Sequence, residues 1–75
     1  MIDIRTAEEV AAKPSAARHI AMPDLLADPS RIGSAAQTYL LVCASGKRSV
    51  AAARELRRRG FAVRSLAGGL QGLER

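Results

Sequence analysis

Short apolar runs alternate with helix-forming stretches along this chain, and their spacing predicts a strand–helix–strand order. Met1-Ile2-Asp3-Ile4-Arg5 alternates apolar and polar positions and reads as a short strand. Thr6-Ala7-Glu8-Glu9 has the form of a capping box, in which Thr6 caps the N–H three residues on and Glu9 reaches back. A short helix should follow and end before Pro14. Residues 17–22 are expected to be extended, with Ile20 and Met22 on one side, leading to Pro23. Asp28-Pro29 suits an N-cap followed by proline, so a helix of about two turns is expected from there to about Ala36. Tyr39-Leu40-Leu41-Val42 is a continuous apolar run, as found in strands buried on both faces of a parallel sheet. Residues 49–59 carry the strongest helical pattern, with Val50, Ala53 and Leu56 inward and Arg54, Arg57 and Arg58 outward. Gly60 suits its C-terminal cap. Residues 61–66 read as a further strand with Phe61, Val63 and Ser65 on one face. Gly68-Gly69 should turn the chain into a last helical turn over residues 70–73. The expected fold class is a small α/β domain, a mainly parallel sheet flanked by helices.

In such sheets, sites form at the C-terminal ends of strands, where strand passes into helix. Cys43, the single cysteine, falls at that junction and is followed by Ala44-Ser45-Gly46-Lys47-Arg48-Ser49. If the loop curls so that its N–H groups point inward, they form an amide nest around the sulfur. Gly46 takes positive φ without strain and so permits the curl. The positive end of the following helix dipole also favours thiolate over thiol. Lys47 and Arg48 add positive potential at the mouth, and Ser49 can cap the helix and donate to the sulfur. An anionic substrate with a good leaving group needs no separate general base there. His19 has no evident tie to Cys43 and reads as a surface or packing residue.

Composition narrows the possibilities. Seventy-five residues, 48% of them hydrophobic, make one small globular domain with a modest core of Ala, Leu, Val and Ile. One cysteine forms no internal disulfide, and one Cys with one His supplies no zinc ligand set, so no metal or other cofactor is expected. Without a signal peptide or a membrane-length apolar run, the expected setting is the reducing cytoplasm, with no membrane partner. The net charge of +5 owes much to Arg54 and Arg57-Arg58-Arg59, which read as a solvated helix face. Nucleic acid is not an expected partner, because only Tyr39 and Phe61 could stack on bases.

The loop resembles the C-x-x-G-x-R-S active-site loop of the rhodanese family, and the resemblance extends along the chain. Met1 to Arg5 looks like the family's LIDVR strand, and Thr6-Ala7-Glu8-Glu9 like the helix start after it. Residues 16–23 are similar to the G-A-x-x-I-P segment. Gly60-Phe61, Val63, Leu66 and Gly68-Gly69 match G-F-x-x-V-x-x-L-x-G-G. The family usually has a further strand and helix before LIDVR, so residues 1–75 are expected to be an N-terminally shortened rhodanese-like domain. In the family such domains occur alone or behind an adenylyltransferase of molybdopterin or thiamine biosynthesis, and the abrupt start suits a piece of such a fusion.

The resemblance implies a sulfurtransferase of the thiosulfate:cyanide type. Cys43 would be the catalytic residue, carrying sulfane sulfur as a persulfide. Ala44, Ser45, Gly46, Lys47, Arg48 and Ser49 would bind the substrate. The donor would be a small anion such as thiosulfate or a cysteine desulfurase, and the acceptor a thiophile such as a sulfur-carrier protein. Asp3 and Arg5 match positions that look structural. Two other functions remain: a Cys-dependent phosphatase or arsenate reductase, and a non-catalytic docking module. Related phosphatases place five residues between Cys and Arg, whereas four separate Cys43 from Arg48.

Overall fold

The computed structural model describes residues 1–73. A four-stranded sheet, all parallel, runs in the order β2-β1-β3-β4. Its strands are β1 (Ile2–Asp3), β2 (Arg18–His19), β3 (Thr38–Val42) and β4 (Ala62–Ser65). The helices are α1 (Ala7–Ala12), α2 (Met22–Ala27), α3 (Lys47–Arg58) and α4 (Gly69–Leu73), with a 3-10 turn at Pro29–Ile32. The central strand β3 pairs Leu41 with Ile2 on one side and with Ser65 on the other. This is the parallel α/β architecture expected from the alternating pattern.

The core gathers Ile2, Ile4, Leu25, Ile32, Leu41, Leu56 and Val63, all but excluded from solvent. Burial of such aliphatic side chains stabilises by about 1.5–3 kcal/mol each. Beneath it lies an ion pair: the Arg5 guanidinium donates to both Asp3 oxygens at 2.9–3.1 Å, with both side chains buried. The Ser15 hydroxyl also donates to Asp3, and Arg5 donates to the Lys13 carbonyl at 2.7 Å. These bonds tie β1 to the end of α1. Burial pushes the Asp3 carboxyl up, but the Arg5 and Ser15 donors outweigh it and hold it below the ordinary carboxylate range.

The capping box forms as expected. Thr6 Oγ1 accepts from the Glu9 N–H at 3.2 Å, and Glu9 Oε1 accepts from the Thr6 N–H at 3.1 Å. α1 ends at Ala12, ahead of Pro14.

Three expectations are corrected. A helix, α2, occupies Met22–Ala27, where the extended segment had been expected to lead into Pro23. Pro23 lies in the first turn, where a missing N–H costs nothing, and Asp24 complements the dipole there. The helix expected from Asp28 shrinks to the 3-10 turn. Asp28 does cap it, accepting from the Ser30 N–H at 3.2 Å, but Gly33 at φ 118° ends it. On α3 the inner face is Ser49, Ala52, Ala53 and Leu56, and Val50 is outward. The buried set follows i, i+3, i+4, i+7 spacing, whereas steps of three from Val50 drift off the face. No helix among the described residues is long and apolar enough to cross a membrane.

Candidate active site

β3 ends at Val42, and Cys43 follows at the C-terminal edge of the sheet, completely buried. The chain then turns back over the sulfur into α3. Gly46 makes that turn at φ 97° and is the N-cap residue of α3. Ser49, expected as the cap, is the third helical residue instead. Glycine has no side chain to accept from the orphan N–H groups of the first helical turn. The Cys43 sulfur takes that place. It accepts from the Gly46 N–H at 3.1 Å and from the Ser49 N–H at 3.4 Å. The thiol is thus the capping acceptor of its own helix.

The Ser49 hydroxyl completes the enclosure. It donates to the Gly46 carbonyl at 3.1 Å and lies 3.6 Å from the sulfur, whose S–H points to it. Hydroxyl hydrogens rotate, so on ionisation of Cys43 the same oxygen can turn its donor to sulfur. Burial pushes the Cys43 thiol up. The Ser49 N–H and hydroxyl, with the Gly46 and Arg48 N–H groups, outweigh burial and leave its pKa below the ordinary thiol value.

α4 holds the loop from below. The Leu70 N–H donates to the Cys43 carbonyl at 2.8 Å, and the Gln71 N–H to the Ala44 carbonyl at 2.9 Å. With those carbonyls engaged outward, the loop N–H groups are left to face the sulfur. Gly69, at φ 61°, allows the approach: a Cβ there would lie 2.5 Å from both the Cys43 and Ala44 oxygens.

The cations do not behave alike. Lys47 begins α3 and is exposed. Arg48 forms a two-point ion pair with Glu9 of α1, at 2.6 and 2.8 Å. That pair, with the Thr6 N–H, lowers the Glu9 pKa to about 2, and it keeps Arg48 charged. Arg48 also lines an apolar groove of about 340 Å³ with Ile4, Met22, Pro23 and Leu26. Ala44 is half-buried and Ser45 exposed on the loop.

All seven expected residues, Cys43 to Ser49, therefore lie on one continuous turn from β3 into α3, and of these Gly46 and Ser49 bond directly to the sulfur. The sequence reading missed Glu9, whose capping role hid a second partner on α3. It also missed Gly69 and the α4 amides, for which Gly68-Gly69 was the sole signal. His19 is remote from the thiol in function: its Nε2 lies 2.7 Å from the Arg5 carbonyl, a bond that braces β2 against β1.

Known structures share this arrangement of elements. A rhodanese-related protein of Thermoplasma volcanium is 28% identical over 95% of this chain and 71% of its own, with a TM-score of 0.80. A rhodanese homologue of Thermus thermophilus is 33% identical over 93% of this chain and 77% of its own, with a TM-score of 0.70. A rhodanese-like domain protein of Staphylococcus aureus is 31% identical over 92% and 68%, with a TM-score of 0.78. Among curated protein sequences none matches. The family profile described as Rhodanese-like domain matches residues 1–75. With a parallel α/β sheet, a cysteine wrapped at its C-terminal edge and this match along its whole length, the chain belongs to the rhodanese-like domain family.

Proposed function

We propose that this domain is a sulfurtransferase in which Cys43 carries sulfane sulfur as a persulfide. The observation that carries the reading is the pair of backbone N–H groups, from Gly46 and Ser49, directed at one buried sulfur. Backbone donors of a fixed loop stabilise negative charge without reorganising, which is what a thiolate nucleophile and its persulfide anion both require. The Cys43 thiolate attacks the outer sulfur of thiosulfate. The S–S bond of the donor breaks, sulfite leaves with the bonding electrons, and a Cys43 perthiolate remains. Cyanide or another thiophile then takes the terminal sulfur and restores the thiolate. No proton changes hands, so no general base is needed, in keeping with the absence of a side-chain base bonded to Cys43 among the described residues.

Four residues between Cys43 and Arg48 make a tight loop, which favours a sulfur atom over a phosphate group. A cysteine desulfurase fits the donor role as well as thiosulfate, and a sulfur-carrier protein fits as acceptor. A reducing cytoplasm suits a mechanism that keeps its lone thiol free. Thiocyanate formation from thiosulfate and cyanide tests the reading. Activity that is lost in Cys43→Ala supports it, and equal residual activity in Cys43→Ala and wild type overturns it.

A further inference from the structure

Arg48 is the one cation of the loop whose side chain is engaged, and its partner is a carboxylate from the first turn of α1. From the geometry we infer that Glu9 sets the charge preference of the Cys43 site, cancelling Arg48 so that weakly charged sulfur donors are preferred over dianions. The inference rests, for its substrates, on the sulfur-transfer reading.

Three observations carry it. Both guanidinium nitrogens of Arg48 that face Glu9 are bound, at 2.6 and 2.8 Å, so the fork that would grip an oxyanion already holds a carboxylate. Glu9 is itself fixed, because its Oε1 also accepts from the Thr6 N–H and its own N–H donates to Thr6. An incoming anion must therefore displace a carboxylate that cannot swing away without breaking the helix cap. Finally, the groove beside the loop is lined by Ile4, Ala21, Met22, Pro23 and Leu26, with Arg48 its sole charged lining residue. Once Arg48 is neutralised by Glu9, that groove on the far side of Arg48 carries no net charge to draw an anion toward the loop. Lys47 remains at the rim, exposed and subject to salt screening.

Two donors separate the cases. Thiosulfate brings two negative charges and releases sulfite. A small alkyl persulfide such as cysteine persulfide brings at most one net negative charge. Its terminal sulfur bonds to the Cys43 thiolate, its own S–S bond breaks, and the alkyl thiolate leaves with the electron pair.

The experiment compares Glu9→Gln with wild type. Glutamine keeps the capping box, so the helix start is retained while the charge is lost. Thr6→Ala serves as the control that weakens the cap and leaves the charge. The Cys43 persulfidation rate is measured with thiosulfate and with cysteine persulfide. In parallel, Cys43 is alkylated with iodoacetate and with iodoacetamide, a charged and a neutral reagent of similar size. In Glu9→Gln both ratios, thiosulfate over cysteine persulfide and iodoacetate over iodoacetamide, should rise roughly threefold to tenfold, because each compares reagents that differ by about one negative charge. In Thr6→Ala neither should move. Arg48→Gln gives the converse reading, because an uncompensated Glu9 should lower both ratios. Unchanged ratios in Glu9→Gln and Arg48→Gln overturn the inference. A shifted alkylation ratio with no persulfide from either donor in any variant supports charge selection at Cys43 and sinks the sulfur-transfer reading instead.

Discussion

Replacing the buried Gly69 by alanine should be strongly destabilising. The residue sits at φ 61°, where an L side chain costs about 1–2 kcal/mol. Its added Cβ would lie 2.5 Å from two backbone oxygens, those of Cys43 and Ala44, and backbone atoms cannot rotate aside. Relief requires α4 to retreat from the loop. That movement breaks the bonds from the Leu70 and Gln71 N–H groups to those same oxygens, at 2.8 and 2.9 Å. Each such bond is worth about 0.5–1.5 kcal/mol net, so the loss totals roughly 2–5 kcal/mol. A domain of 75 residues commands only about 4–11 kcal/mol in all. Gly60 is the internal comparison: it has φ 94°, and nothing lies within 4 Å of its would-be Cβ. Gly60→Ala should therefore show the backbone strain alone, about 1–2 kcal/mol. Urea unfolding of both variants, followed by circular dichroism, measures the difference. Equal losses for the two, with equal denaturant slopes, would refute the idea that α4 holds the loop through this close approach.

Two further outcomes follow from the charged groups. The Cys43 thiol titrates below the ordinary thiol value, so iodoacetamide rates should reach half-maximum at a lower pH than those of a free cysteine, and Ser49→Ala should move the midpoint upward. Because the folded-state value is the lower one, wild type should also gain stability over Cys43→Ala as pH rises toward about 9, and no gain would count against the nest. Asp3 is likewise held low by Arg5 and Ser15, so its contribution is present above about pH 4 and disappears as pH falls through the folded value. Asp3→Asn should cost about 3–5 kcal/mol at neutral pH, because Arg5 stays buried without its partner, and should flatten the acid limb of the stability profile. A loss under about 1 kcal/mol would assign the brace to packing alone.

How far residues alone reveal this molecule depends on the range of the interaction. The capping box at Thr6 and Glu9, strand β3 and the Gly60 terminus are local patterns, and each forms where its pattern lies. The wrap around Cys43 was visible for the same reason, since every group in it lies between residues 43 and 49. α2 was hidden because Pro23 serves equally to end an extended segment or to begin a helix. Ser49 was misplaced as a cap because the sulfur, six residues away in the chain, supplies the acceptor that a cap would have supplied. The pairing of Arg48 with Glu9 spans 39 positions, and nothing local marks it. Nor does anything local show that α4 turns its first N–H groups onto the loop carbonyls. Those contacts exist only once the parallel order of the sheet brings α1, the loop and α4 to the same edge.

The sulfur-carrier claim is tested most directly by intact mass measurement of the purified domain after exposure to thiosulfate and, separately, to a small alkyl persulfide. A gain of one sulfur atom is expected, located on Cys43, reversed by cyanide and missing in Cys43→Ala. A domain that is folded, carries a reactive Cys43 thiolate and gains no sulfur from either donor would contradict it.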